Sequence, residues 1–210
     1  DPFFLAVGFR RPHAPFVAPE KHFLPYPLNS LTLPETGDRS DAPDAAFNVH
    51  PPHYGQPEEM KKLKMGYLAS VSFMDSQVGR LIDRLEELGM MDDTIVVFFS
   101  DHGFALGERG NWHKFTLFEE STRVPLIIRA PGVTRPGTST DRLVELIDLF
   151  PTLRELCGLP EAIQELEGDS LAPLLENPDA PQEEDIAITQ VRRGKVAGEK
   201  LPEDLMGYSL

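Results

Sequence analysis

An adjacent carboxylate and imidazole, Asp101-His102, open the segment Ser100-Asp101-His102-Gly103-Phe104-Ala105-Leu106-Gly107-Glu108-Arg109-Gly110. Both side-chain types ligate metal ions, and the nearby glycines let backbone approach a ligand closely. Taken alone the pair also describes an ordinary turn, with a capping Asp and a hydrogen-bonded His. The surroundings shift that balance. Lys114 follows in Asn111-Trp112-His113-Lys114-Phe115, among aromatic side chains that limit water. An ammonium there can meet an anionic oxygen, although a lysine is more often simply solvated. His13 lies in Arg10-Arg11-Pro12-His13-Ala14-Pro15-Phe16. Flanking prolines suit a preset loop better than a helix or sheet, and a solvent-exposed histidine is the other reading.

The elements around these residues explain how they can be positioned. Thr94-Ile95-Val96-Val97-Phe98-Phe99-Ser100 is apolar on both faces, as in a central parallel strand covered by helices. Ligands of open α/β sheets bind beyond the carboxyl ends of such strands, where Asp101 and His102 fall. Upstream, Met60, Leu63, Tyr67, Val71, Met74, Val78, Leu81, Leu85 and Leu88 recur every three or four residues. That spacing predicts one amphipathic helix over Glu58–Leu88, stopped by Gly89 and followed by a turn at Asp92-Asp93. Val124–Ala130 is expected in the same mostly parallel sheet, with Pro125 at its start. Phe3–Val7 reads as a buried strand feeding the His13 loop. Residues 8–57 are rich in proline and poor in periodicity, so their first part reads as a site loop and Gly37–Ala46 as a surface excursion. Leu143–Ile147 is expected as a short strand, with Asp148 capping a helix through Cys157, a core residue. Leu171–Leu175 suggests a helical turn, and Ile186–Thr189 and Leu205–Leu210 suggest short antiparallel strands.

Bulk properties remove several classes of function. A net charge of −14 argues against a nucleic-acid partner, which needs clustered Lys and Arg. Hydrophobic and charged fractions of 40% and 26% fit a globular chain. No apolar run approaches the roughly 20 residues of a membrane helix. A single cysteine, Cys157, excludes an internal disulfide framework and does not identify a compartment. The chain opens on Asp1-Pro2 without an initiator Met, just ahead of an apolar run, and stops at Met206–Leu210 as another strand begins. Both ends read as cut, so the lack of a signal peptide is silent on location.

Four segments in order resemble sulfatases, most closely the iduronate-2-sulfatase-like group: Arg11-Pro12-His13, Ala69–Arg80, Ser100–Gly110 with Lys114, and Asp148-Leu149-Phe150-Pro151-Thr152-Leu153. The likeness spans almost the whole chain and is weakest over 34–57 and 176–204. It implies an alkaline-phosphatase-like α/β fold, a mostly parallel sheet flanked by helices and present here in part, with a small antiparallel C-terminal subdomain. On that reading 1–180 belongs to the catalytic domain and 181–210 begins the subdomain. It also implies hydrolysis of sulfate esters on a sulfated sugar, through a formylglycine made from Cys or Ser in a Cys/Ser-x-Pro-x-Arg motif and a calcium ion. Asp101 and His102 then correspond to metal ligands, although calcium prefers oxygen to the imidazole nitrogen of His102. Lys114 corresponds to the lysine on the sulfate group, and His13 to the histidine beside the leaving oxygen. Phe104, Arg109 and Phe115 are candidates for substrate contact, with Arg10 and Arg11 available for a uronate carboxylate. Cys157 lacks the modification spacing, so the nucleophile is expected in a missing N-terminal half of a periplasmic or secreted parent. Other readings are a phosphoester or phosphonate hydrolase of the same superfamily, or an inactive homologue binding sulfated glycans.

Overall fold

The computed structural model describes residues 2–47, 56–181, 185–192, 195–196, 199–200 and 206–209. Two compact units emerge: Asp1–Asp41, His50–Met91 and Leu106–Trp112 form the first, and Ala42–Val49, Asp92–Ala105 and His113–Leu210 the second.

The first unit is built on α1 (Pro57–Glu87). Pro57 is placed at the start, where its absent N–H costs nothing, and Glu58 and Glu59 complement the positive end of the helix. The helix ends as expected: Gly89 takes φ +65, its N–H donates to the Glu86 carbonyl, and the Met90 N–H donates to that of Leu85. The apolar stripe is only half buried, however, and Leu81 and Leu88 are exposed. The most buried face is Gly66, Ala69 and Ser70. Small side chains there let the proline-rich segment come close: a Cβ built on Gly66 would stand 3.0 Å from the Phe16 Cβ. Phe16 also meets the Tyr67 ring edge-on at 5.7 Å. Tyr26 and Ser72 share a hydroxyl hydrogen bond of 2.6 Å, and Lys64 donates to the Thr32 carbonyl. Phe3–Val7 is exposed and forms no strand, because no described strand pairs with it.

In the second unit, β1 (Val96–Phe99) pairs with β4 (Leu126–Arg129). Both expected strands share one sheet, but their pairing is antiparallel, Val96 opposite Arg129 and Phe99 opposite Leu126. A continuous apolar run reports burial on two faces and carries no information about strand direction. Between them come β2 (Ala105–Leu106), β3 (Trp112–His113), which pair with each other, and the short helix α2 (Glu119–Thr122). Leu126 and Ile128 pack against Leu171, Leu174 and Ala180, the latter set partly supplied by α4 (Ala172–Glu176).

Helix α3 (Leu149–Leu156) follows a 3-10 turn at Leu146–Asp148 where a strand was expected. Asp148 is the reason. Its carboxylate accepts from the N–H of Glu145 at 2.8 Å and of Asp169 at 2.9 Å, which bends the chain and leaves no cap bond for α3. Thr152 completes the junction, donating to the Asp148 carbonyl and accepting from Leu171 N–H. Cys157 is exposed, not a core residue, because it stands at the C-terminal end of α3 beside Gly158 at φ +60. Further on, β5 (Thr189–Arg192) pairs antiparallel with β8 (Met206–Ser209), and β6 (Lys195–Val196) with β7 (Glu199–Lys200). These bear out antiparallel strands near the C-terminus, although Ile186–Ile188 stay outside them and Leu205 and Leu210 lie outside the described residues. Pro51 and Pro52 also lie outside them.

Candidate active site

The loop leaving β1 is held by hydrogen bonds within itself and to α2. Ser100 Oγ donates to the His102 carbonyl at 2.9 Å, and Gly103 N–H donates to the Ser121 carbonyl at 2.8 Å. A Cβ on Gly103 would fall 2.2 Å from the Glu120 carbonyl oxygen, so only glycine lets α2 back this loop. Ser121 is buried and bonded to Thr116 Oγ1 at 2.8 Å, tying α2 to the segment after Lys114. These supporting residues were not anticipated. The available signal was a glycine following Asp-His together with small hydroxyl residues a few positions beyond Lys114.

His102 has a defined tautomer. Its Nδ1 lies 2.7 Å from the Gly103 carbonyl, which can only accept, so Nδ1 carries the proton and Nε2 is turned toward Lys114. Lys114 Nζ is 2.8 Å from that Nε2. An ammonium donates, so the imidazole Nε2 accepts in this contact. Asp101 Oδ2 is 3.6 Å from the same Nε2 and largely exposed. Lys114 is flanked by two non-glycine residues with left-handed backbone, His113 at φ 72 and Phe115 at φ 70. Such conformations cost on the order of 1 kcal/mol or more each and cluster at functional sites. Phe115 is exposed with the Lys114 ammonium 5.4 Å from its ring centroid, and Phe104 packs edge-on against His113. Asp101, His102, Lys114 and Phe115 line one cleft of the second unit, of about 1810 Å³, which continues past Arg123 and Arg142.

His13 and Arg109 belong to the first unit. His13 N–H donates to the Arg10 carbonyl, and its Nδ1 donates to the Ala14 carbonyl at 2.7 Å, again leaving Nε2 as the outward atom. Arg109 is engaged in a two-pronged pair with Asp41, at 2.8 and 3.0 Å. That guanidinium holds the Asp41 carboxyl below the usual carboxylate range. Tyr67 is pushed the other way, upward, by burial and then by the nearby Glu108 charge.

Among the described residues no cluster of three His, Cys, Asp or Glu side chains stands ready for a metal ion. Asp101 and His102 supply two donors that one ion can bridge, short of the six to eight ligands calcium takes. They fit a shared metal site as part of its shell.

A strand that leads into a carboxylate–imidazole–lysine loop, together with the likeness to solved structures, marks an alkaline-phosphatase-like α/β protein, present in part. A family model described as Sulfatase matches residues 1–159, and the chain belongs to the sulfatase family. It is 37% identical over 201 residues to iduronate 2-sulfatase of Mus musculus, an alignment covering 76% of this chain and 36% of that protein. Its structure is similar to the phosphonate monoester hydrolase SpPMH from Silicibacter pomeroyi, with TM-score 0.73 and 32% identity over 87% of this chain and 39% of the other. It is also similar to BT4656, solved in complex with its substrate D-glucosamine-2-N,6-O-disulfate, with TM-score 0.60 and 31% identity over 68% and 30%. The chain thus spans little more than a third of the curated relative's length. Family membership carries with it, in general terms, formylglycine chemistry and a metal ion.

Proposed function

We propose that the protein containing this chain hydrolyses sulfate esters on a sulfated sugar, such as a glycosaminoglycan unit. The observation that carries this is the contact of Lys114 with His102 beside Asp101 in one cleft. It joins a fixed ammonium to a metal-ligating pair, the two positive elements an anionic ester needs. A bound calcium ion would polarise the sulfate, and a formylglycine would supply the nucleophile. Asp101 and His102 would hold the ion. Lys114 exchanges its contact with His102 for a sulfate oxygen and neutralises the charge that grows as the S–O bond breaks. The electron pair would go to the bridging oxygen, and His13 is the candidate acid for it, giving up the Nε2 proton of its imidazolium form and keeping the one on Nδ1. Phe115 lines the cleft, Phe104 backs the loop through His113, and Arg109, engaged by Asp41, acts by holding its own loop. Residues 1–180 are read as catalytic domain and 181–210 as the start of an antiparallel subdomain.

Similarity to a phosphonate monoester hydrolase favours a second reading, phosphonate or phosphoester hydrolysis at the same site. The test is turnover by the full-length parent on iduronate 2-sulfate, glucosamine 6-sulfate and a phenyl phosphonate monoester. Release of sulfate at higher kcat/KM than phosphonate cleavage is expected. Faster phosphonate cleavage supports the second reading, and binding of both sugars without turnover supports an inactive glycan-binding protein.

A further inference from the structure

We infer that Arg11 is the positioning residue for His13, not a cation offered to the substrate. The inference rests on His13 being the proton donor. Arg11 Nε donates to the Val17 carbonyl at 3.0 Å, and its Nη1 donates to the His13 carbonyl at 2.9 Å. One rigid guanidinium therefore spans the loop and fixes the backbone of the histidine itself. The far end of the same loop is anchored on α1, where Phe16 lies against Gly66 and Tyr67. Between these two supports, the hydrogen bond from Nδ1 to the Ala14 carbonyl fixes the ring and leaves Nε2 as the nitrogen for proton exchange. The fork geometry matters: two N–H groups at fixed spacing bridge two carbonyls, which a lysine ammonium on a flexible stem does not reproduce.

The consequence is kinetic. A displaced His13 fails where the leaving oxygen most needs its proton, so the loss grows with leaving-group pKa. A substrate-binding Arg11 instead raises KM for every substrate alike.

The experiment measures kcat and KM of the full-length parent on substituted phenyl sulfates of graded leaving-group pKa. The set is wild type, Arg11→Ala, Arg11→Lys, His13→Ala and the double Ala variant. Arg11→Ala is expected to steepen the dependence of kcat on leaving-group pKa, with at least a tenfold loss at the poor end and KM within twofold. Arg11→Lys should recover little of it, and the double variant should be no worse than His13→Ala. Arg11→Gln, which keeps one donor group, carries the same readout where Arg11→Ala does not fold. An unchanged slope with raised KM, or full rescue by Arg11→Lys, overturns the inference while leaving His13 as donor. An unchanged slope in His13→Ala overturns the proton-donor reading itself, and this inference with it.

Discussion

His102 shows how one hydrogen bond assigns chemistry to a residue. Because Nδ1 is committed to the Gly103 carbonyl, Nε2 is the atom left for a metal ion or for Lys114, and Asp101 is the adjacent carboxylate. Asp101→Ala in the full-length parent should therefore lower calcium occupancy, measured by metal analysis after dialysis, together with turnover. Full occupancy and normal turnover would remove Asp101 from the metal site. The Arg109–Asp41 pair makes a separate prediction about pH. The folded carboxyl of Asp41 titrates below its unfolded value, so its stabilising effect is present above the unfolded pKa and is lost as pH falls through the lower folded value. Asp41→Asn should flatten the acid side of the plot of melting temperature against pH, while leaving the neutral side nearly parallel to wild type. An unaltered acid limb would show the pair to be too solvated to matter.

At the scale of elements, α1, α3 and α4 were legible because helical spacing, a glycine stop and Pro in the first turn are local signals. The packing faces were less so. Apolar periodicity pointed to Met60, Leu63 and Tyr67, whereas Gly66, Ala69 and Ser70 are the most buried, and at Gly66 the close approach of Phe16 demands a residue without a side chain. Strand direction and the fate of Leu143–Ile147 depend on long-range partners, β4 and Asp169, and no local pattern encodes these. The site loop itself was legible in Asp101-His102 and Lys114, but its backing by α2 was not. That backing predicts the effect of Gly103→Ala. The added methyl meets the Glu120 carbonyl, so α2 or the loop must shift, at a cost of about 1–3 kcal/mol. A lowered melting temperature with reduced calcium affinity is expected in the full-length parent. An unshifted melting temperature and unchanged affinity would show that α2 does not set the loop.

For the whole molecule, collinear motifs were more informative than any composition figure. The charge of −14 excluded one class of partner, whereas the order of the His13, Asp101-His102 and Lys114 segments pointed to the sulfatase family that residues 1–159 match. The most direct measurement is kcat of full-length Lys114→Ala for sulfate release from saturating substrate, with folding checked by circular dichroism. A fixed ammonium stabilises the departing oxygen more in the transition state than in the ground state. The expected result is a loss on the order of a hundredfold or more. A kcat within about twofold of wild type, far below the effect of one such charge, would contradict the placement of the sulfate at the Asp101–His102–Lys114 cleft.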